Sequence, residues 1–223
     1  MHYGTDRAAA EQTLALMHGD GHHLVGGDLS DPAVAERVVA ESAAAIGTID
    51  VLVNNAAVAP APESAHPIDR TDYATWQRVW SWIVDVDLLA VANVTHLVAN
   101  RLIDAEASGV IVNVGSRGAV RGEPEFPAYG AAKAGLHAFG QSMAVALAPF
   151  GIAVSTVSPG FIGTERQQEK LAGAGGDAVR AQSPFGRVGT PDEVAAAIVY
   201  LTSADAQWAS GAVLDLNGAS HLR

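Results

Sequence analysis

The chain has 223 residues, 49% of them hydrophobic, and carries 13 basic against 24 acidic side chains for a formal net charge of −11. That length supports one domain with a substantial core, and the acidic balance argues against nucleic acid or an anionic membrane surface as the main partner. With no cysteine there is no disulfide framework, thiolate metal site or cysteine nucleophile, and no run of about 18 uninterrupted apolar residues marks a membrane span.

The opening residues, Met1 to Arg7, lack the charged and apolar regions of a secretory signal, so the cytoplasm is the expected compartment. Eight histidines are scattered without metal-ligand spacing, and no metal site is expected. Ala8 to His18 reads as a helix, and His23 to Gly27 as a short strand ending at Asp28. Asp31-Pro32 starts a second helix, an N-cap followed by proline, which runs to Ile46 and stops at Gly47. Ile49 to Val53 is an apolar, Val-rich strand expected to be buried on both faces, and it ends in Asn54-Asn55-Ala56-Ala57.

After a proline-broken loop, Tyr73 to Ile103 is apolar enough for one or two long helices. Its tryptophans Trp76, Trp80 and Trp82 are expected in a core or a subunit contact rather than a ligand cage. Val110 to Val114 is the next strand, Tyr129 to Phe150 a helix, and Ile152 to Val157 a strand ending in Ser158-Pro159-Gly160. Glu165 to Val188 has little periodicity and reads as a loop or lid region. Thr190-Pro191-Asp192-Glu193 is a capping box opening a helix to Leu201, and Ala212 to Leu216 is the last strand. Strands alternating with helices predict a doubly wound parallel α/β sheet, whose ligands sit beyond the carboxyl ends of the strands. Asp28, Asn54, Ser116 and Pro159-Gly160 all fall at such ends.

One stretch carries readable chemistry. Tyr129 and Lys133 are four apart, so a helix presents both on one face, and Ser116 lies thirteen residues before the tyrosine at a strand end. A phenol titrates near ~10 in water, and a lysine ammonium one turn away favours the phenolate. The tyrosine then serves as general acid or base on an alcohol or carbonyl, with the serine hydroxyl holding the substrate oxygen. The hydride that completes a carbonyl reduction needs a cofactor.

Ser116 with Tyr129-Gly130-Ala131-Ala132-Lys133 resembles the catalytic signature of the short-chain dehydrogenase/reductase family. The resemblance spans the chain: Asp28 matches the family's adenine-binding aspartate, Asn54-Asn55-Ala56-Ala57 its N-N-A-G motif, and Pro159-Gly160-Phe161-Ile162-Gly163-Thr164 its P-G-x-V/I-x-T turn. It implies a Rossmann-like fold and an NAD(P)-dependent oxidoreductase of a small ketone or secondary alcohol. It also implies a homo-oligomer joined through the Tyr129 helix, the tryptophan-bearing helix and the C-terminal strand. Asp28, Asn54, Ala56, Tyr129, Lys133, Pro159, Gly160, Ile162 and Thr164 would address the cofactor. Ser116, Tyr129, Lys133 and Asp87 would form the catalytic group.

Three departures from the family pattern carry expectations of their own. The family's first strand and T-G-x-x-x-G-x-G turn have no counterpart, so the sheet is expected to be N-terminally incomplete, with a gap and uncovered strand edges. That strand and turn are expected upstream of Met1; the alternative is a non-redox binding or regulatory protein on the same scaffold. Asp87 stands where the family has asparagine, and its carboxylate is expected to attract Lys133 and raise the tyrosine pKa. Ala57 and Ala219 replace turn glycines. The chain opens where the family's second strand ends, and with no acidic residue in its first few positions Arg7 could face a 2′-phosphate, which favours NADP over NAD.

Overall fold

The alternation of strands and helices becomes two parallel sheets with flanking helices in a computed structural model, which describes residues 1–222 apart from the side chains of Arg166, Glu169 and Lys170. A two-stranded sheet pairs β1 (His2–Tyr3) with β2 (Val25–Gly26), His2 opposite Val25. A four-stranded sheet runs in the order β3 (Val51–Asn54), β4 (Gly109–Val114), β5 (Ile152–Pro159), β6 (Val213–Leu216), with Val51 opposite Val110 and Gly109 opposite Ile152. This is the Rossmann-like α/β class that the alternation predicts.

Among the described residues β1 pairs only with β2, and β3 only with β4. β3 is therefore an edge, and the expectation that it is buried on both faces is wrong: Val51 is 44% and Val53 38% exposed. An apolar run identifies a strand without saying how many neighbours it has.

The helix boundaries follow their capping chemistry. α1 (Arg7–Leu16) starts where the Asp6 side chain accepts from the Ala9 N–H at 2.9 Å. α2 (Pro32–Ile46) starts at Asp31, which accepts from the Ala33 N–H, and stops at Gly47, whose φ of 81° a side chain would strain. The long apolar segment is two helices, α3 (Tyr73–Val84) and α4 (Ala90–Asp104), joined by a π-helical turn at Asp85–Leu89. By length and composition this 32-residue stretch passes for a membrane span. Its buried residues instead pack in the core: Val79 and Ile83 against α6 (Pro127–Leu147), and Val94, Val98 and Leu102 against α2, β4 and β5.

A short helix, α5 (Gly118–Arg121), precedes α6. The segment read as a loop carries two more short helices, α7 (Gln168–Ala172) and α8 (Gly176–Arg180), too brief for hydrophobic periodicity to reveal. α9 (Pro191–Leu201) opens with the expected reciprocal box, Glu193 N–H to Thr190 Oγ1 at 3.2 Å and Thr190 N–H to Glu193 Oε2 at 2.9 Å. Ala219 holds a φ of 57°, the left-handed conformation for which a glycine would suit that turn.

β4 and β5 form the spine. Ile111 and Val154 face α2, α4 and α6, while Val112 and Val157 face α9 and Ala206, so helices cover both faces. Burial on both sides fixes the height of the β4 and β5 ends, and with them the site. Truncating a fully buried spine residue such as Ile111 to alanine costs about 2–5 kcal/mol.

Candidate active site

Beyond Val114 the β4–β5 pairing continues past the strands themselves. The Gly115 N–H donates to the Val157 carbonyl at 2.8 Å and the Arg117 N–H to the Pro159 carbonyl at 3.0 Å. Ser116 is thereby clamped at the carboxyl end of the sheet. Its hydroxyl oxygen accepts from the Gly118 N–H at 3.0 Å, which opens α5.

α6 delivers the other groups. Phe126 precedes it and offers no side-chain cap, and His66 takes that role from a distant loop: its Nε2 accepts from the Ala128 N–H at 2.9 Å while Nδ1–H donates to the Ser64 carbonyl at 2.7 Å. The ring is fully buried and meets Trp76 and Trp80 edge-on at centroid distances of 5.6 and 6.4 Å. Trp76 and Trp80 thus hold the start of α6 rather than a ligand, whereas Trp82 is 39% exposed. Nothing in the sequence pattern marks His66, because the contact depends on a loop folding back over α6.

Lys133, one turn after Tyr129, points into the protein. Its ammonium donates to the Val114 carbonyl at 3.2 Å, lies 3.5 Å from Asp87 Oδ2, and sits 5.7 Å from the centroid of the Tyr129 ring. Asp87 is fully buried in the π-helical turn, and its Oδ1 accepts from the Val58 N–H at 2.6 Å. Burial raises the Asp87 carboxyl above its ordinary value, with the Lys133 charge opposing, and burial lowers the Lys133 ammonium, with Asp87 opposing. Tyr129 is pushed up to about 12, first by burial; hydrogen bonding to Ser116 works against this, and Asp87 and Glu123 add to it. The expectation that Lys133 lowers the tyrosine pKa therefore fails here. The ammonium is compensated by a carboxylate on its other side.

A cavity of ≈ 930 Å³ gathers Ser116, Tyr129, Pro159, Gly160, Ile162 and Thr164. Gly160 is required by crowding, since a Cβ there would lie 2.8 Å from Asn217 Cα. The remaining sequence candidates lie outside this lining. Asp28 is exposed at the end of β2, accepting from the Ser30 N–H and hydroxyl, and its carboxyl titrates below the ordinary range because of the Ser30 backbone bond. Asn54 is locked inside, donating to Thr95 Oγ1 at 3.1 Å and Asn113 Oδ1 at 2.9 Å, which makes it a tie between β3, α4 and β4. Ala56 is exposed in the following loop. Arg7, the residue suited to a 2′-phosphate, is paired with Glu11 at 2.8 Å in an exposed ion pair.

These residues suit one half of a nicotinamide dinucleotide better than the other. Its nicotinamide half fits the cavity, which Ser116, Tyr129 and the Pro159–Thr164 turn line together, while the Lys133 ammonium lies behind that lining on Asp87 and the Val114 carbonyl. At the pyrophosphate half, the described residues supply no glycine-rich turn opening a helix, and α1 starts behind the Asp6 carboxylate. The cavity wall also holds residues that no motif announced, Arg117, Arg121 and Gln182. Arg117 directly follows the serine, the only local signal that pointed to it.

The pattern of the enoyl-(acyl carrier protein) reductase family matches residues 2–221. A cis-4-hydroxycyclohexanecarboxylate dehydrogenase of Sinomonas cyclohexanicum is 35% identical over 96% of this chain and 89% of its own length. A 3-oxoacyl-(acyl carrier protein) reductase of Chlamydia muridarum is 32% identical over 94% of this chain and 81% of its own. The solved structure of a protein described as a gluconate dehydrogenase of Agrobacterium tumefaciens superposes with a TM-score of 0.85 at 26% identity, covering 98% of this chain and 85% of that one. A clamped serine, a tyrosine–lysine helix and a parallel sheet feeding one cavity agree with these matches, and the chain belongs to the short-chain dehydrogenase/reductase family of oxidoreductases.

Proposed function

We propose that this oxidoreductase interconverts a small ketone and the corresponding secondary alcohol with NAD(P), Tyr129 exchanging the proton with the substrate oxygen. The observation that carries this reading is that Ser116 and Tyr129, hydrogen-bonded to one another, line the same cavity as the Pro159–Thr164 turn. A bound nicotinamide supplies or accepts the hydride. Ser116 orients the substrate oxygen, and Tyr129 donates to it in reduction and accepts from it in oxidation. Lys133 would meet the nicotinamide ribose, and Asp87 sets the charge that Lys133 presents to the phenol.

With its pKa pushed up to about 12, Tyr129 is a neutral phenol at neutral pH. In that state it carries the proton that carbonyl reduction requires, whereas alcohol oxidation requires the phenolate. Alcohol oxidation should speed up toward alkaline pH. The segment 165–188, with α7 and α8, would serve as the lid over the substrate, since Glu165, Gln168, Val179 and Gln182 line the cavity. NADP is favoured over NAD through Arg7, whose exposed pairing with Glu11 is weak enough to exchange for a phosphate. A homo-oligomer in the cytoplasm completes the reading, with exposed Trp82, Leu89 and Val145 on α3, the π-helical turn and α6 as contact residues.

The test is the thermal midpoint of the chain with and without excess NADPH or NADH, followed by turnover of wild type and Tyr129→Phe. Dinucleotide at one hundred times its dissociation constant stabilises a binding protein by about 2.7 kcal/mol. A clear rise with loss of turnover in Tyr129→Phe supports the mechanism. A cooperative transition unmoved by either dinucleotide, or equal turnover in the variant, refutes it.

A further inference from the structure

Arg117 is only 7% exposed, yet among the described residues it meets no carboxylate within ion-pairing distance. One of its guanidinium nitrogens donates to the Ser220 hydroxyl at 2.6 Å and another to Gln182 Oε1, both neutral acceptors. Arg121, one turn later at the end of α5, donates to the same Gln182 oxygen at 3.1 Å. Two cations thus converge on a single amide oxygen. They repel one another, and burial together with that repulsion lowers the Arg117 pKa from its ordinary value; the Glu123 carboxylate offsets this in part.

Both arginines line the cavity that holds Ser116 and Tyr129, and Arg117 also lines an adjoining, largely apolar chamber of ≈ 470 Å³ walled by Phe161, Val179, Phe185 and Leu216. A buried guanidinium without a counter-ion is unfavourable for the free protein and favourable for an incoming anion. Its planar fork suits a carboxylate bidentately.

We propose that Arg117 and Arg121 form the seat for a carboxylate on the substrate, making this oxidoreductase selective for hydroxy- or oxo-acids with a compact apolar body. The assignment deepens the proposed function and rests on the same cavity. Arg117, buried and held by Gln182 and Ser220, is the fixed half of the seat. Arg121, at the rim, is the half that reaches for the ligand. Gln182 lies just beyond α8, so an anion bridging the arginines also tightens the 165–188 segment over the cavity.

The test uses the full chain without dinucleotide, so that its failure is separable from failure of the redox reading. Cyclohexanecarboxylate and cyclohexanecarboxamide, equal in shape and different in charge, are titrated by calorimetry into wild type, Arg121→Gln, Arg121→Lys and Arg117→Gln, each checked for a wild-type circular dichroism spectrum. The seat predicts that wild type prefers the acid by about tenfold or more, the effect of one charge-assisted hydrogen bond. It further predicts that Arg121→Gln weakens the preference several-fold with amide binding unchanged, since Arg117 remains, and that Arg121→Lys keeps more of it. If Arg117→Gln does not fold, the Arg121 pair decides alone. Equal binding of acid and amide, binding of neither, or a preference undiminished in Arg121→Gln overturns the assignment. Dinucleotide binding without carboxylate preference leaves the enzyme reading standing and removes only the seat.

Discussion

The substitution that isolates the charge logic of the site is Asp87→Asn, which removes the carboxylate 3.5 Å from Lys133 while keeping an oxygen to accept from the Val58 N–H. In the native chain Asp87 adds to the forces raising Tyr129 to about 12, and its charge compensates the ammonium that lies 5.7 Å from the phenol ring. An uncompensated unit charge ~6 Å from the phenol, at an effective dielectric of ~20, is worth about 3 kcal/mol, or about 2 pH units of tyrosine ionisation. Lys133, already lowered by burial, falls further once its counter-ion is gone, which caps the gain. The expected outcome is a Tyr129 midpoint lower by about 1 unit. Alcohol oxidation should then begin at a correspondingly lower pH.

The assay is the ultraviolet absorbance of tyrosinate against pH in wild type and Asp87→Asn, with Tyr129→Phe subtracting the other three of the four tyrosines. The stability loss should stay below the about 3–5 kcal/mol of a fully orphaned buried charge, because Lys133 retains the Val114 carbonyl and can release its proton. A Tyr129 midpoint that is unchanged or higher in Asp87→Asn refutes the idea that Asp87 masks the lysine.

Tyr129→Phe should abolish turnover, and it should also change the alkaline limb of stability. A folded-state value raised from 10.0 to about 12 stabilises the fold fully below pH 10 and loses that contribution as pH rises to 12; the loss is on the order of 3 kcal/mol, so urea melts of the variant should fall less steeply across that window. His66→Ala should lower stability by about 2–4 kcal/mol through the lost cap on α6 and the hole beneath Trp76 and Trp80, and a denaturation midpoint equal to wild type would contradict its role. Gly160→Ala forces a Cβ to within 2.8 Å of Asn217 Cα, a backbone atom. It should cost about 1–3 kcal/mol and displace the wall facing Tyr129, read as a raised KM beside a lowered melting temperature.

Most of the fold was legible because its punctuation is local. Asp31-Pro32 with Gly47, and Thr190 with Glu193, bound helices within a residue of where they lie, since a cap needs only its own turn to form. Ser116, Tyr129 and Lys133 were legible because helical spacing and a strand end suffice to bring them together. Val51 and Val53 were misjudged because exposure at a strand edge depends on a neighbour that the strand's own residues do not encode. Asn54 divides: the family motif implies a residue that stabilises the central sheet beside the cofactor, and its amide nitrogen does tie β3 to α4 and β4 through partners 41 and 59 residues away, but it does not line the cavity.

The arginines and the histidine were hidden for the same reason. Arg117 acquires meaning only when Gln182 and Ser220, 65 and 103 residues away, close around it, and His66 only when α6 starts 62 residues later against its ring. Each of these side chains does its work through a long-range contact. That division also orders the chemistry. The group proposed to transfer the proton is written in one helix and one strand end. The charge on Lys133 and the shape and charge of the cavity and its adjoining chamber come from distant segments, the π-helical turn, the 165–188 region and the C-terminal turn that holds Arg117. Selectivity in this chain should therefore respond to changes in those segments while the Ser116–Tyr129–Lys133 geometry stays fixed, and exchanging Gln182 should alter which substrates bind without moving the tyrosine's alkaline limb.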